Sequence, residues 1–237
     1  MSITAAFKRK HGALTIDWSV IGAALLAAFL LAGVFIRTDV STSPENSPLA
    51  SKGVLPLHDG DELVAFETFE LAPTGWEGGQ VDNSAHGFGG VLGRFGGTGG
   101  LEAITKTFEL PQDHAFAIVE FDLHAIDDWQ LEELNVFING EHVATQSFAT
   151  APDLAMRQST HLSEDPRFIS TITPRNPPPR DRGFGDAQDQ TMAVRIMVRD
   201  PSTTLTVGFG SNLLPDNANA FWAVDNLRIT VTNQEAD

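Results

Sequence analysis

The chain has 237 residues, 42% of them apolar, with 21 Gly, 13 Pro, no Cys and a formal net charge of -16. Once an N-terminal segment is set aside, this length suits one domain of roughly 180 residues, and the Gly and Pro content favours many short strands joined by turns. The lack of Cys excludes disulfides, thiol nucleophiles and zinc–cysteine sites, and the acidity argues against nucleic acid as a partner because phosphate backbones need a basic surface.

The charge is unevenly placed. Residues 1–37 hold Lys8, Arg9, Lys10 and Arg37 against Asp17 alone, which leaves 11 basic and 30 acidic side chains for the remainder. Between Trp18 and Ile36 the chain reads WSVIGAALLAAFLLAGVFI, uncharged throughout. As a helix this run spans about 28 Å, the thickness of a hydrocarbon core. The basic flank lies on its N-terminal side, so residues 1–17 are expected in the cytoplasm and residues 18–36 as a single transmembrane helix. A cleaved secretory signal would have a shorter apolar region and a small-x-small site, of which LAGVFIRTD is a poor example. Residues 37–57, rich in Ser, Thr and Pro, read as a linker. Residues 58–237 then form an extracytoplasmic domain anchored in the inner (cytoplasmic) membrane and facing a periplasm or the cell surface.

The stretch Gly12-Ala13-Leu14-Thr15-Ile16-Asp17-Trp18 resembles the processing site of type IV prepilins of the Flp/Tad class. The resemblance implies cleavage after Gly12, Ala13 as the new N-terminus, and an Asp17 carboxylate paired with a neighbouring subunit's amine during self-assembly, since an unpaired charge in lipid is costly. Asp17 and Trp18 stand where that family usually has Glu and Tyr. The other reading is that Asp17 caps the positive end of the transmembrane helix.

Past the linker, period-two alternation marks strands. Ala117, Val119, Phe121 and Leu123 share one face, as do Leu134, Val136 and Ile138; Val194, Ile196 and Val198; Leu205, Val207 and Phe209; and Leu227, Ile229 and Val231. Asn139-Gly140 is a two-residue hairpin turn, because both residues tolerate positive φ. The expected fold is all-β, an antiparallel two-sheet sandwich of jelly-roll type.

The segments Phe66–Glu70, Gly75-Trp76, Gly89–Gly97, Lys106–Pro111, Phe121–Gly140 and Phe221–Leu227 resemble extracellular jelly-roll modules of the concanavalin-like or carbohydrate-binding kind. The similarity covers most of residues 62–232 and implies neighbouring first and last strands and a recognition function. Trp76, Trp129 and Trp222 are the aromatic candidates for ligand binding. In the loop Ile126–Glu133, Asp127 and Asp128 beside Trp129 would hold calcium or frame a sugar, or form a solvated acidic loop around a packed Trp. Related modules often carry Asp-Gly after that Trp, where this chain has Gln130-Leu131. Asp225 and Asn226 in the last strand would meet Glu67 or Glu70 in the first and share a structural Ca2+, or else serve strand-end hydrogen bonding and core closure. Residues 151–190 read as one long Pro-rich loop, projecting or disordered, because Pro174 to Gly183 holds four Pro and three Arg.

Catalytic signatures are sparse. The seven His show no metal-ligand spacing, no G-x-S-x-G elbow occurs, and the Gly-rich run 87–100 lacks a phosphate-loop ending. Adjacent carboxylates such as Glu132 and Glu133 point to opposite faces of a strand and cannot flank one glycosidic bond. The expected function is a non-catalytic envelope module that binds a glycan or another envelope protein. A pilin-like structural subunit is the alternative, and an enzyme on a lectin-like scaffold, which requires two carboxylates converging on one face, is a second.

Overall fold

The computed structural model describes residues 57, 59–84, 87–175, 188–214 and 219–235. All of them belong to the second of the two compact units into which the chain divides, Pro48–Asp237. The leader, the apolar run 18–36 and the processing candidates Gly12, Ala13 and Asp17 lie outside the described residues, as does the linker apart from Leu57. Among the described residues no helix is long and apolar enough to cross a membrane.

The described residues form twelve strands: β1 (Glu62–Glu67), β2 (Val81–Asp82), β3 (Val91–Phe95), β4 (Ile104–Glu109), β5 (Phe116–Asp127), β6 (Gln130–Ile138), β7 (Glu141–Ala149), β8 (Thr160–Leu162), β9 (Phe168–Pro174), β10 (Gln190–Arg199), β11 (Thr204–Ser211) and β12 (Ala220–Thr232). Two antiparallel sheets result. The larger has seven strands in the order β2-β3-β12-β5-β10-β9, with β1 also paired to β12; the smaller runs β4-β11-β6-β7-β8. The first and last strands are thus neighbours, Phe66 opposite Arg228 and Glu67 opposite Leu227.

Alternation decides which face is dry. Phe121 and Leu123 of β5, Val194 and Ile196 of β10 and Leu227 and Ile229 of β12 meet Val207 and Phe209 of β11 and Val136 and Ile138 of β6 in one core, as strands with one apolar face must. The Asn139-Gly140 turn forms as expected, with φ of 53° and 77° and Ile138 opposite Glu141. Asn139 also receives the Thr206 N–H on its Oδ1 at 2.8 Å, which ties the turn to β11.

The outer face of the smaller sheet is crossed by the segment from Gly97 to Ala103. The Gly100 and Ala103 N–H groups donate to Ser211 and Phe209 carbonyls at 2.9 and 3.0 Å. A Cβ on Gly208 would fall 1.9 Å from Glu102 Oε1, and one on Gly210 would fall 2.0 Å from the Leu101 carbonyl. Gly210 therefore requires glycine for the segment to lie flat, whereas a Cβ on Gly208 would displace the Glu102 side chain.

The expectation of a continuous loop over 151–190 is corrected. A single helical turn, α1 (Pro152–Ala155), then β8 and β9 occupy its first half. Pro152 suits the first turn of a helix, where its missing N–H is not needed. The run FISTITP alternates as a strand should, and β9 lies at the sheet edge and ends at Pro174, where a residue without an N–H is tolerated.

Candidate functional site

The three tryptophans proposed as ligand platforms are core residues. Trp129 and Trp222 are fully buried and Trp76 is 7% exposed. Each indole N–H is satisfied internally: Trp129 Nε1 donates to the Ile126 and Phe221 carbonyls at 3.0 and 3.1 Å, Trp222 Nε1 to Gly96 at 2.8 Å, and Trp76 Nε1 to Glu67 Oε2 at 2.7 Å. Trp76 stacks on Phe209, Trp222 tilts against Phe95, and Trp129 meets Phe148 edge-on. Rings so enclosed present no face to a sugar.

The carboxylates proposed for calcium are dispersed. Glu67 faces the interior edge, bound to Trp76 and to Lys106 of β4 in the opposite sheet. Glu70 accepts the Gly90 N–H at 3.3 Å. Asp225 projects from the other face of β12, opposite Asp122 in register, and accepts the Asn226 N–H at 2.7 Å; Glu67 and Asp225 therefore do not converge. The Asp127 N–H donates to Asp189 at 3.0 Å. Asp128 takes the Thr150 hydroxyl at 3.1 Å and the Gln130 amide at 3.3 Å. Among the described residues no three His, Asp or Glu side chains are grouped to hold a metal ion.

A different set of residues forms a concave site on the outer face of the seven-stranded sheet. Two rows of side chains run across β12, β5, β10 and β9. Arg228, Glu120, Arg195 and Thr171 are successive register partners, and so are Asp225, Asp122, Ala193 and Thr173. Because side chains alternate, all eight lie on the face opposite the core. Ala193 is the small member. Its methyl leaves a depression beside Arg195, Thr171 and Thr173, and the resulting cleft measures about 290 Å³, with Arg175, Asn226 and Arg228 along its walls. The other end of this face is closed by a second, smaller apolar cluster in which Phe88 packs with Val91, Ile126 and Ala223. Phe88 also meets the His124 ring edge-on at 4.8 Å.

Charges in the cleft are largely matched. Arg228, 9% exposed, donates through Nε to Glu120 Oε2 at 2.8 Å, with a second contact from its terminal amine. Arg175 Nε donates to Asp122 Oδ1 at 2.6 Å, and Asp122 Oδ2 accepts the Asn226 amide at 2.9 Å. Asn226 sits at an irregularity in the β12–β5 pairing with φ of 52°, and this extra residue turns its amide over Asp122. Arg195 differs: its nearest carboxylate is Glu120 at 3.6 Å, beyond hydrogen-bond length, and its side chain is 30% exposed.

Residue alternation marks Glu120, Asp122 and Arg195 as outward-facing. What joins them into a site is the order β12-β5-β10-β9, which is not written in any local stretch of the chain. Thr171 and Thr173 belong to the strand hidden within the supposed loop.

The described fold and site define a two-sheet antiparallel sandwich with a polar cleft on its larger sheet. No family model and no curated protein matches the chain. Among solved structures it is similar to the carbohydrate-binding and catalytic modules of an endo-1,4-β-D-xylanase from Clostridium thermocellum, solved with xylohexaose. The identity is 11%, the TM-score 0.36, and the match covers 74% of this chain and 29% of that one. The chain thus spans under a third of that protein's length.

Proposed function

We propose that the chain is a membrane-anchored envelope protein displaying a non-catalytic binding module, and that the cleft over Ala193 receives a segment of glycan. One observation carries this reading: the Thr171 and Thr173 hydroxyls and the Arg195 guanidinium surround a depression of about 290 Å³ with no hydrogen-bond partner for these side chains among the described residues. A saccharide offers hydroxyls that both donate and accept, and a small concave site with a few placed polar groups suits it. With the Trp rings buried, binding relies on hydrogen bonds instead of stacking. Glu120 and Asp122 are two positions apart on one face of β5, about 7 Å by strand geometry. That is a separation a glycosidase could use, but each carboxylate already accepts a hydrogen bond from a guanidinium. The membrane anchor rests on the apolar run Trp18–Ile36 and its basic flank.

Filling the depression provides the test. Full-length protein in detergent is titrated by calorimetry with neutral β-linked hexasaccharides of glucose, xylose and mannose. At least one is expected to bind, and Ala193→Phe, an outward-facing change, is expected to abolish the heat without altering the circular dichroism spectrum. Equal binding by the variant, or no binding to these or to an acidic oligosaccharide, would remove the cleft from consideration as a glycan site.

A further inference from the structure

Arg195 is the unspent cation of this cleft, and from it we infer that the preferred ligand is an acidic saccharide, a uronate whose carboxylate is gripped by Arg195 and flanked by Thr171 and Thr173. The inference rests on the glycan reading and adds the chemical class of the sugar.

The argument starts from hydrogen-bond supply. A guanidinium has five N–H donors in a planar fork. Arg228 commits its fork to Glu120, and Arg175 directs Nε to Asp122. Glu120, already held by Arg228 on β12, is 3.6 Å from Arg195 on its other side, so the fork of Arg195 has no hydrogen-bonded acceptor among the described residues. Arg195 is also reachable, 30% exposed where Arg228 is 9%. Its register partner is Thr171, and Thr173 lies opposite Ala193 one row on. Both hydroxyls face the same depression.

The local field favours one negative charge and not two. Glu120 is hydrogen-bonded to Arg228 and Asp122 to Arg175, which leaves Arg195 as the guanidinium of the cleft without a hydrogen-bonded carboxylate. Asp225 is two strands and one row away, about 12 Å by sheet geometry, which makes it the most distant of the three carboxylates from an anion held at Arg195. A phosphate dianion would feel Glu120 and Asp122 twice as strongly as a carboxylate does. A carboxylate also matches the guanidinium fork in plane and spacing, while the ring hydroxyls of the same sugar reach Thr171 and Thr173.

The experiment compares an acid with its own ester. Full-length protein is titrated with tetragalacturonic acid and with its fully methyl-esterified form, which has the same rings and linkages without the charge. A charge-assisted contact is expected to give the acid about tenfold tighter binding. Arg195→Gln should reduce that ratio to within about twofold, and Arg195→Lys should retain part of it. Equal affinity for acid and ester, with neutral hexasaccharides still binding, would overturn the acidic preference and leave the glycan reading in place. A preference undiminished in Arg195→Gln would overturn the assignment to Arg195. If the acid, the ester and the neutral panel all fail to bind, the glycan reading falls and this inference falls with it.

Discussion

Glu102 shows how a single carboxylate can oppose the fold that contains it. It lies in the segment pressed against β11, with Oε1 buried over Gly208 and lacking a hydrogen-bond partner. Burial pushes its carboxyl above the ordinary range, since desolvation disfavours the charged form. A carboxyl whose folded pKa is raised binds more protons when folded than when unfolded, so stability falls as pH rises from the unfolded value through the raised one. Above that window the full penalty is present. Glu102→Gln is therefore expected to raise the thermal midpoint near about pH 7, with the gain shrinking by about pH 4. A gain that stays constant with pH would show that charge is not its source. Asp82 runs the other way: burial pushes its carboxyl up, but hydrogen bonds from Ser84 and Arg94 more than offset this and hold it below the ordinary range.

At the scale of elements, the hairpin β6–β7 is the most locally determined part of the molecule. Gly140 has φ of 77°, a region that costs a residue with a Cβ about 1–2 kcal/mol. Gly140→Ala should lower stability by about that amount in urea unfolding of the full chain. An unchanged midpoint would mean that the turn relaxes to another type. This turn and the alternating runs of β5, β6, β10, β11 and β12 were legible in the sequence because each is specified within a few residues. The tryptophans were not, because an apolar ring with one N–H donor suits a core and a sugar platform equally; only the acceptors found inside, the carbonyls of Ile126, Phe221 and Gly96 and the Glu67 carboxylate, decide between them. β9 was masked by its neighbours, the prolines that follow Pro174. The cleft was least legible of all: Glu120 and Arg228 are 108 positions apart, and only the strand order brings them together.

For the whole molecule, charge is the dominant long-range term. The net charge of -16 combines +3 over residues 1–37 with -19 over the remainder, and that excess stresses the folded domain through self-repulsion. Raising salt from about 10 mM to about 300 mM, which shortens the Debye length from about 30 Å to under 10 Å, should raise the thermal midpoint. A midpoint that falls instead would show that ion pairs such as Arg228–Glu120 and Lys106–Glu67 outweigh the repulsion.

The pairing of β1 with β12 has a mechanical consequence. A pull on the chain from its N-terminal side enters the sandwich at Glu62, which lies opposite Val231, and reaches β12 by opening that ladder one rung at a time. Further along β12 are Arg228 and Asn226, so the strand paired with β1 is also the strand that forms one wall of the cleft. A bound ligand under drag and a peeled first strand would thus load the same strip of backbone from opposite ends.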